Sequence, residues 1–374
     1  MNIVIKVADD LPSLKKFVDF PFQLYRNHPY WVPPLKASEI AWLSPTKNPA
    51  FKHAIVKKFT AWKGNKMVGR IAGIINDLET EHLAEKHARF GWFDFVDDPE
   101  VSRALVQAVE DWAKSQGAVK LKGPYGFNSL DKNGMLVEGF CEMGAMTTLY
   151  NFDYYPKHIL ALGFEKELEW LEMQAVLPKA MPEKITAFSS KILERFHLKV
   201  KQPKNKVELI FLGELLFSML QETYQHLPGF VPISPEQQTF YIKNYIGLLP
   251  VKFVCVVEHE TEGPVGFGLT MPNMSKAMRK ANGSIWPFGF AHLLKAQYFN
   301  DTGDLTLIGV KEEWRKKGVH GIIFNEIGNI FIKMGITHFN INPMLENNQN
   351  VLQLWKEYEH RIHKRRRTYA KDLA

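Results

Sequence analysis

The sequence predicts an α/β protein of the α+β kind, built as two similar halves that each fold a mixed central sheet flanked by helices. Three observations carry this. Paired strand-like runs joined by a turn occur twice, at 53–75 and at 252–270. Each pair is followed by another apolar strand and then an amphipathic helix, 100–116 in the first half and 321–334 in the second. The chain's 374 residues suffice for two domains at about 150 residues each. The division falls after residue 178, in the proline-containing stretch PKAMPEK, giving units 1–178 and 179–374.

The elements follow in order. Phe17, Phe20 and Leu24 have helical spacing, and Pro29 and Pro33–Pro34 end that helix. His53–Trp62 and Met67–Ile75 alternate as strands around Lys63-Gly64-Asn65-Lys66, a hairpin composition. Phe90–Val96 is a third strand. Asp97-Asp98-Pro99-Glu100 then opens a helix whose period runs through Val101, Leu105, Val109 and Trp112, and Gly117 stops it. The stretch GPYGFNSLDKNGMLVEGF (123–140) reads as loop, and YNFDYYPKHILALGFEKELEW as a helix ending at Gly163 followed by a strand. In the second half, helices are expected at about 184–192, 213–226 and 236–247, and strands at 252–258 and 265–270. An irregular basic and aromatic stretch follows at 273–302, then a strand at 304–310, a glycine turn and the helix 321–334. A strand at 337–341, a helix over about 348–359 and a basic tail complete the chain.

Composition narrows the function classes. Apolar residues at 45% and charged residues at 23% exclude a mostly disordered chain. The net charge of +7 is small for this length, and no DNA- or RNA-binding motif accompanies it, so nucleic acid is not an expected partner. Cys141 and Cys255 sit in apolar stretches and form no CxxC pair, so no metal site is expected and a reducing compartment fits. The N-terminus turns acidic by Asp9 without a long apolar core, and no run reaches the roughly 18 apolar residues of a membrane span. The expectation is a cytoplasmic protein.

The segment LTLIGVKEEWRKKGVHGIIFNEIGNIF holds the most chemistry. A strand ends at Val310, and a short loop carries Arg315, Lys316, Lys317, Gly318, Val319, His320 and Gly321 into an amphipathic helix. Free backbone amides at a helix start, glycines and three successive cations make an anion site suited to a phosphate or pyrophosphate. The alternative is a solvated basic turn.

The order hairpin, strand, RxxGxx loop, helix, strand resembles the GNAT superfamily of acyl-CoA-dependent N-acyltransferases. Its signature is Q/R-x-x-G-x-G/A. Arg315 and Gly318 match the first and fourth positions, His320 stands at the sixth, and Gly321 comes one place late. Glu346-Asn347-Asn348 resembles the family's helix start. At the position of the family's usual tyrosine stands Trp355, with Tyr358 one turn further as a substitute general acid. In the first half, Tyr154-Tyr155 followed by Leu162-Gly163-Phe164 resembles a closing GNAT helix, but acidic Asp97–Glu100 replaces the phosphate loop. Paired halves of this kind resemble the myristoyl-transferase and Fem peptidyl-transferase families, and the opening FPFQLYRNHPYWVPPL with GRIAGIIN is similar to a bacterial group of paired GNAT proteins.

The resemblance implies an acetyl-CoA or other acyl-CoA co-substrate bound by the second half through residues 315–321, Asn348 and Trp355. It also implies a thioester polarised by the backbone of Ile308 and Val310. Glu312 is the candidate base, read alternatively as a solvated residue beside Glu313. Asn128, Asp131 and Asn133 are candidates for an acceptor pocket, or an ordinary turn. The acceptor would be an amine on a small molecule, a peptide or a lipid. Two other readings stay open: a catalytically inactive CoA-binding or interaction protein, and a peripheral membrane enzyme acting on a long-chain amine. For the latter, the cations at 276–280 and 361–371 and the apolar IWPFGFAHLL are the features that would meet an anionic surface. No oligomeric state follows from the residues.

Overall fold

The structure is a computed structural model that describes residues 2–244, 250–348, 352, 355 and 358–373. The first half runs β1 (Ile3–Val7), α1 (Leu11–Leu24), α2 (Lys36–Trp42), β2 (Ala54–Lys63), β3 (Lys66–Asn76), α3 (Asp77–Leu83), β4 (His87–Phe95), α4 (Pro99–Ser115), β5 (Lys120–Gly123), β6 (Met135–Glu138), α5 (Tyr154–Ala161) and β7 (Glu165–Val176). Then come α6 (Glu183–Arg195), β8 (Leu198–Lys201), α7 (Lys206–Tyr224), α8 (Pro235–Asn244), β9 (Val254–His259), β10 (Gly263–Pro272), α9 (Ser275–Ala281), α10 (Gly289–Tyr298), β11 (Thr302–Val310), α11 (Val319–Lys333), β12 (His338–Leu345) and β13 (His360–Asp372).

Among the described residues the strands form one sheet, in the order β1-β2-β3-β4-β5-β13-β7-β12-β11-β10-β9-β8, with β6 on β13. The halves repeat one plan. A hairpin, β2–β3 or β9–β10, pairs antiparallel with the next strand, β4 or β11. A crossover helix, α4 or α11, then leads to a parallel partner, β5 or β12. The helices seat close to the sheet because glycines face them. A Cβ on Gly73 would lie 2.6 Å from Trp112, and one on Gly268 would lie 2.7 Å from Ile323 and Ile327. Each crossover helix covers its own apolar core. Leu105 and Val109 pack on Ile71 and Phe90 in the first half, and Ile323 and Phe331 pack on Leu305 and Phe339 in the second.

Three expectations need correction. The stretch 273–302 is not irregular: it holds α9 and α10, linked through 282–288. The basic tail, with cations expected to meet an anionic surface, is instead β13, a central strand between β5 and β7. Its cations are matched by β7. Arg366 and Lys364 pair with Glu172, Lys364 at 2.8 Å, and Arg365 and Arg367 pair with Glu169 at 3.1 and 2.6 Å. Finally, Cys141 is exposed rather than apolar in setting, while Cys255 is buried; both are free thiols. The helix expected at 348–359 falls mostly on residues outside those described. The one expected at 236–247 is described only as α8, to Asn244.

Candidate active site

The site is built where β11 leaves β12. Their pairing ends at Leu305 with Ile341, yet β11 continues to Val310 along β10. The cause is a bulge. Leu269 faces Leu307 and Thr270 faces Leu305, so Thr306 is an extra residue. It is held there by Thr306 Oγ1 donating to the Leu269 carbonyl at 2.7 Å and by Asn342 Nδ2 donating to the Thr306 carbonyl at 2.6 Å. Beyond the bulge the strands diverge, and β12 continues along β7. The sequence places Ile308 and Val310 correctly in this strand, but a bulge depends on register and has no signature in the residues.

The first half has the same split and fills it. β4 and β5 pair only over His87–Arg89, and then Tyr125 N donates to the Phe90 carbonyl at 2.8 Å. A Cβ on Gly91 would be 2.3 Å from the Tyr125 oxygen, so loop 124–134 lies directly on β4. Asn128, Asp131 and Asn133 hold that loop. Asp131 accepts from the Phe127 and Asn128 amides at 2.6 and 3.3 Å and from Tyr241 Oη at 3.0 Å. Asn128 Nδ2 donates to Tyr241 Oη at 2.6 Å, and Asn133 Oδ1 accepts from the Gly126 amide at 3.1 Å. Burial pushes the Asp131 carboxyl up to about 6 against these bonds. The three residues therefore close the first split and tie it to α8 in the second half.

At the far end of β11 the loop leads into α11. Gly318 has φ +83° and caps the helix with no side-chain acceptor, and Gly321 N donates back to the Gly318 carbonyl at 2.9 Å. The first turn of α4, by contrast, is capped by its own Asp98, which accepts from Glu100 N at 3.0 Å. An anion is thus suited to α11 and excluded from α4. The positive φ favours glycine at 318, and a Cβ there would also press on the Phe188 ring of α6 at 3.0 Å. The cations are not equivalent. Arg315 donates to the carbonyls of Val310 and Thr223, at 3.4 and 3.3 Å, and Lys317 Nζ lies 3.9 Å from the centre of the Trp314 ring. Lys316 is exposed, as are Glu312 and Glu313 in the short turn beyond β11. Val319 is buried, and burial and Arg315 lower the pKa of His320.

Two features of the split escape sequence reading. Asp304, one residue before the last β11–β12 pair, belongs to a polar row across four strands, aligned in register with Asn340, Gln174 and Arg361. It accepts from Asn273 Nδ2 at 2.9 and 3.1 Å and from Asn340 Nδ2 at 2.9 Å. Gln174 Nε2 donates to Asn340 Oδ1 at 3.1 Å, and Arg361 joins Gln174 to Glu142. Burial raises the Asp304 carboxyl above its ordinary range, outweighing those bonds. The signal in the sequence was a lone carboxylate opening an otherwise apolar strand. The second feature is Tyr224, whose hydroxyl donates to the Ile308 carbonyl at 3.3 Å; burial pushes its pKa up to about 12.

The other face of the split carries apolar groups. Trp355 is buried against Phe324 and Phe339, with ring centres 4.9 and 5.8 Å away, and its Nε1 is buried without a partner among the described residues. Tyr358 stacks edge-on to Phe339 at 6.0 Å, and burial raises its pKa. Asn348 N donates to the Leu345 carbonyl at 3.0 Å, just where β12 ends. Among the described residues, no group of three His, Cys, Asp or Glu is placed to hold a metal ion, and no helix is long and apolar enough to cross a membrane.

No family model matches the chain. Two curated proteins are similar over almost its whole length. Protein YghO of Escherichia coli is 29% identical over 371 residues, covering 96% of this chain and 93% of that protein. A bacterial ceramide synthase of Caulobacter vibrioides is 25% identical over 376 residues, covering 96% and 95%. Among solved structures, a tandem GNAT protein from the clavulanic acid biosynthesis pathway superposes with a TM-score of 0.55 at 10% identity, covering 100% of this chain and 98% of that one. A GCN5-related glucosamine N-acetyltransferase region of a fungal multi-domain β-N-acetylglucosaminidase gives a TM-score of 0.59 at 14% identity over 99% of this chain, which spans only 38% of that protein. The repeated plan of hairpin, split parallel pair and crossover helix, together with these superpositions, shows that the chain has the tandem GNAT fold.

Proposed function

We propose that the protein is an acyl-CoA-dependent N-acyltransferase working in the cytoplasm, with residues 1–178 and 179–374 as its two units and β13 returned from the second unit to the first. The observation that carries the proposal is the bulge at Thr306. It opens β11 from β12 directly between the uncapped start of α11 and the carboxylate of Asp304. Among the described residues the first split is filled by loop 124–134 and the second is not, so the acyl-CoA is assigned to the second. The amides at 318–320 and the Lys316 ammonium would hold the pyrophosphate, with Arg315 bracing the loop.

The reaction forms an N–C bond to the thioester carbonyl and breaks the C–S bond. Asp304 is assigned as the base that takes the amine proton, in preference to Glu312, which stands in solvent beyond the strand end. Backbone N–H groups in the stretch from Thr306 to Val310 polarise the carbonyl, the carbonyls of Thr306, Ile308 and Val310 being already bonded to Asn342, Tyr224 and Arg315. Tyr358 returns a proton to the thiolate from the apolar face, and Tyr224 fixes the Ile308 carbonyl beside it. Asn348 and Trp355 close the β12 side.

For the acceptor, we propose a long-chain amino alcohol. The similarity to a protein named a ceramide synthase supports it, since a ceramide is the amide of such a base. The test is incubation with acetyl-CoA or palmitoyl-CoA and sphinganine, reading free thiol and amide product together. One thiol per amide, with palmitoyl-CoA preferred, supports the reading. Thermal stabilisation by acyl-CoA without thiol release would favour an inactive CoA-binding protein instead, and no stabilisation by any CoA species would remove the donor.

A further inference from the structure

The α9–α10 hairpin turns its apolar side outward. Trp286 and Phe288, in the link between the helices, are 74% and 75% exposed, and Ile285 stands beside them. Along α10, Phe290, Leu294 and Tyr298 recur every fourth residue and are all exposed, so they form one outer stripe. Trp286 and Phe290 lie with ring centres 5.2 Å apart, which joins the link to the stripe. The opposite side of the hairpin is packed: Met274, Met278 and Leu293 sit against Val32, Met143 and Met146 of the first half. The tip is anchored too, since Lys36 N donates to the Gly283 carbonyl at 2.9 Å. The exposed stripe is therefore a fixed feature of the folded surface. A monomer in water gains nothing from such a patch, and a contiguous patch of this kind marks a contact site.

Charge selects the occupant. From Gly263 to Asn300 there is no Asp or Glu, while Lys276, Arg279, Lys280 and Lys295 are basic. Lys276 pairs with Asp301 at 3.8 Å, so the excess rests on Arg279, Lys280 and Lys295. A two-fold contact between copies of this chain would set these cations against themselves, which like charge opposes. An anionic bilayer satisfies both halves of the surface, with aromatic rings at the headgroup boundary and ammonium groups on the lipid phosphates.

We propose that the α9–α10 hairpin is a membrane-docking surface that seats the protein on an anionic lipid bilayer. Docking there would bring the lipid to the start of β11, which follows α10 in the chain, at the end of that strand away from the Gly318 loop. An acceptor drawn from the membrane would then reach the split from one end and the CoA from the other. This last step rests on the acyl-transfer reading, but the docking does not.

The experiment is cosedimentation of the full chain, without acyl-CoA, with vesicles of phosphatidylcholine alone or with about 30 mol% phosphatidylglycerol. The wild type should sediment with the anionic vesicles and be released by salt. The double variant Trp286→Ser/Phe288→Ser should bind them at least about tenfold more weakly, with an unchanged circular dichroism spectrum. Equal binding by wild type and variant, or no preference for anionic vesicles, would overturn the proposal. So would a concentration-dependent dimer of the wild type that the variant loses, because the stripe would then be a contact between copies. A protein that docks but transfers no acyl group would retain this inference and lose the proposed reaction; one that transfers but does not dock would do the reverse.

Discussion

Asp304 is the residue on which the chemistry turns. Its carboxylate stands at the closed end of the split, bonded to two asparagines and partly withdrawn from water. As a base it must be ionised. With its pKa raised by burial, the rate should fall as the pH drops through a value above the ordinary carboxylate range. Asp304→Asn should lower kcat by about 10²–10⁴, measured by thiol release. The sign for stability runs the other way. A carboxyl whose folded pKa is raised stabilises the fold only while protonated, and that contribution is lost as pH rises through the folded value. Asp304→Asn should therefore leave the melting temperature at pH 7 equal or higher, a split that a merely structural aspartate would not give. Glu172 is the counter-case. Burial raises its pKa, but Arg366 and Lys364 outweigh that and hold it at about 2. Its stabilising contribution is present above its ordinary value and is lost as the pH falls toward 2. Glu172→Gln should cost about 3–5 kcal/mol in denaturant unfolding at neutral pH, because two buried cations lose their partner.

At the scale of elements, α4 and α11 are the same crossover helix in two electrostatic states. Asp98 caps one, and an uncapped glycine with an exposed lysine opens the other. Lys316→Glu should weaken palmitoyl-CoA binding roughly tenfold in calorimetric titration, while leaving the melting temperature unchanged. Gly318→Ala should act differently. The φ of +83° and the approach to Phe188 should cost about 1–2 kcal/mol of stability, so that any loss of affinity comes with a lower melting temperature.

The same elements show what the sequence makes legible. The helix 99–115 and both hairpins can be read because their apolar periods and turn residues are local. The strand β13 cannot be read in isolation: HKRRRTY resembles a solvated tail until it is set against β7, whose ELEWLE supplies Glu169 and Glu172 from nearly two hundred residues away. The α9–α10 hairpin reads as irregular because its outward stripe reverses the usual burial pattern. Arg315 and the glycine loop are visible as a motif, whereas the bulge at Thr306 and the polar row through Asp304 exist only in the register of strands brought together by folding.

The whole molecule is one continuous sheet in which the two units share their central strands. β13 lies between β5 and β7, and β7 carries β12 on its other edge. Neither unit completes its sheet alone. Ending the chain at Glu359 would strip partners from Glu169, Glu172, β5 and β7, and it should abolish cooperative unfolding followed by circular dichroism rather than merely lower its midpoint. This architecture also explains the asymmetry between the splits: loop 124–134 fills the first and reaches Tyr241 in the second half, whereas among the described residues no such loop pairs with β11 beyond Leu305. The most direct test of that claim is the difference density of a complex with a non-transferable thioether analogue of palmitoyl-CoA. The pyrophosphate is expected on the amides of residues 318–320 and the sulfur between β11 and β12 beside Asp304; density for the analogue in the first unit, or away from the split, would contradict the assignment.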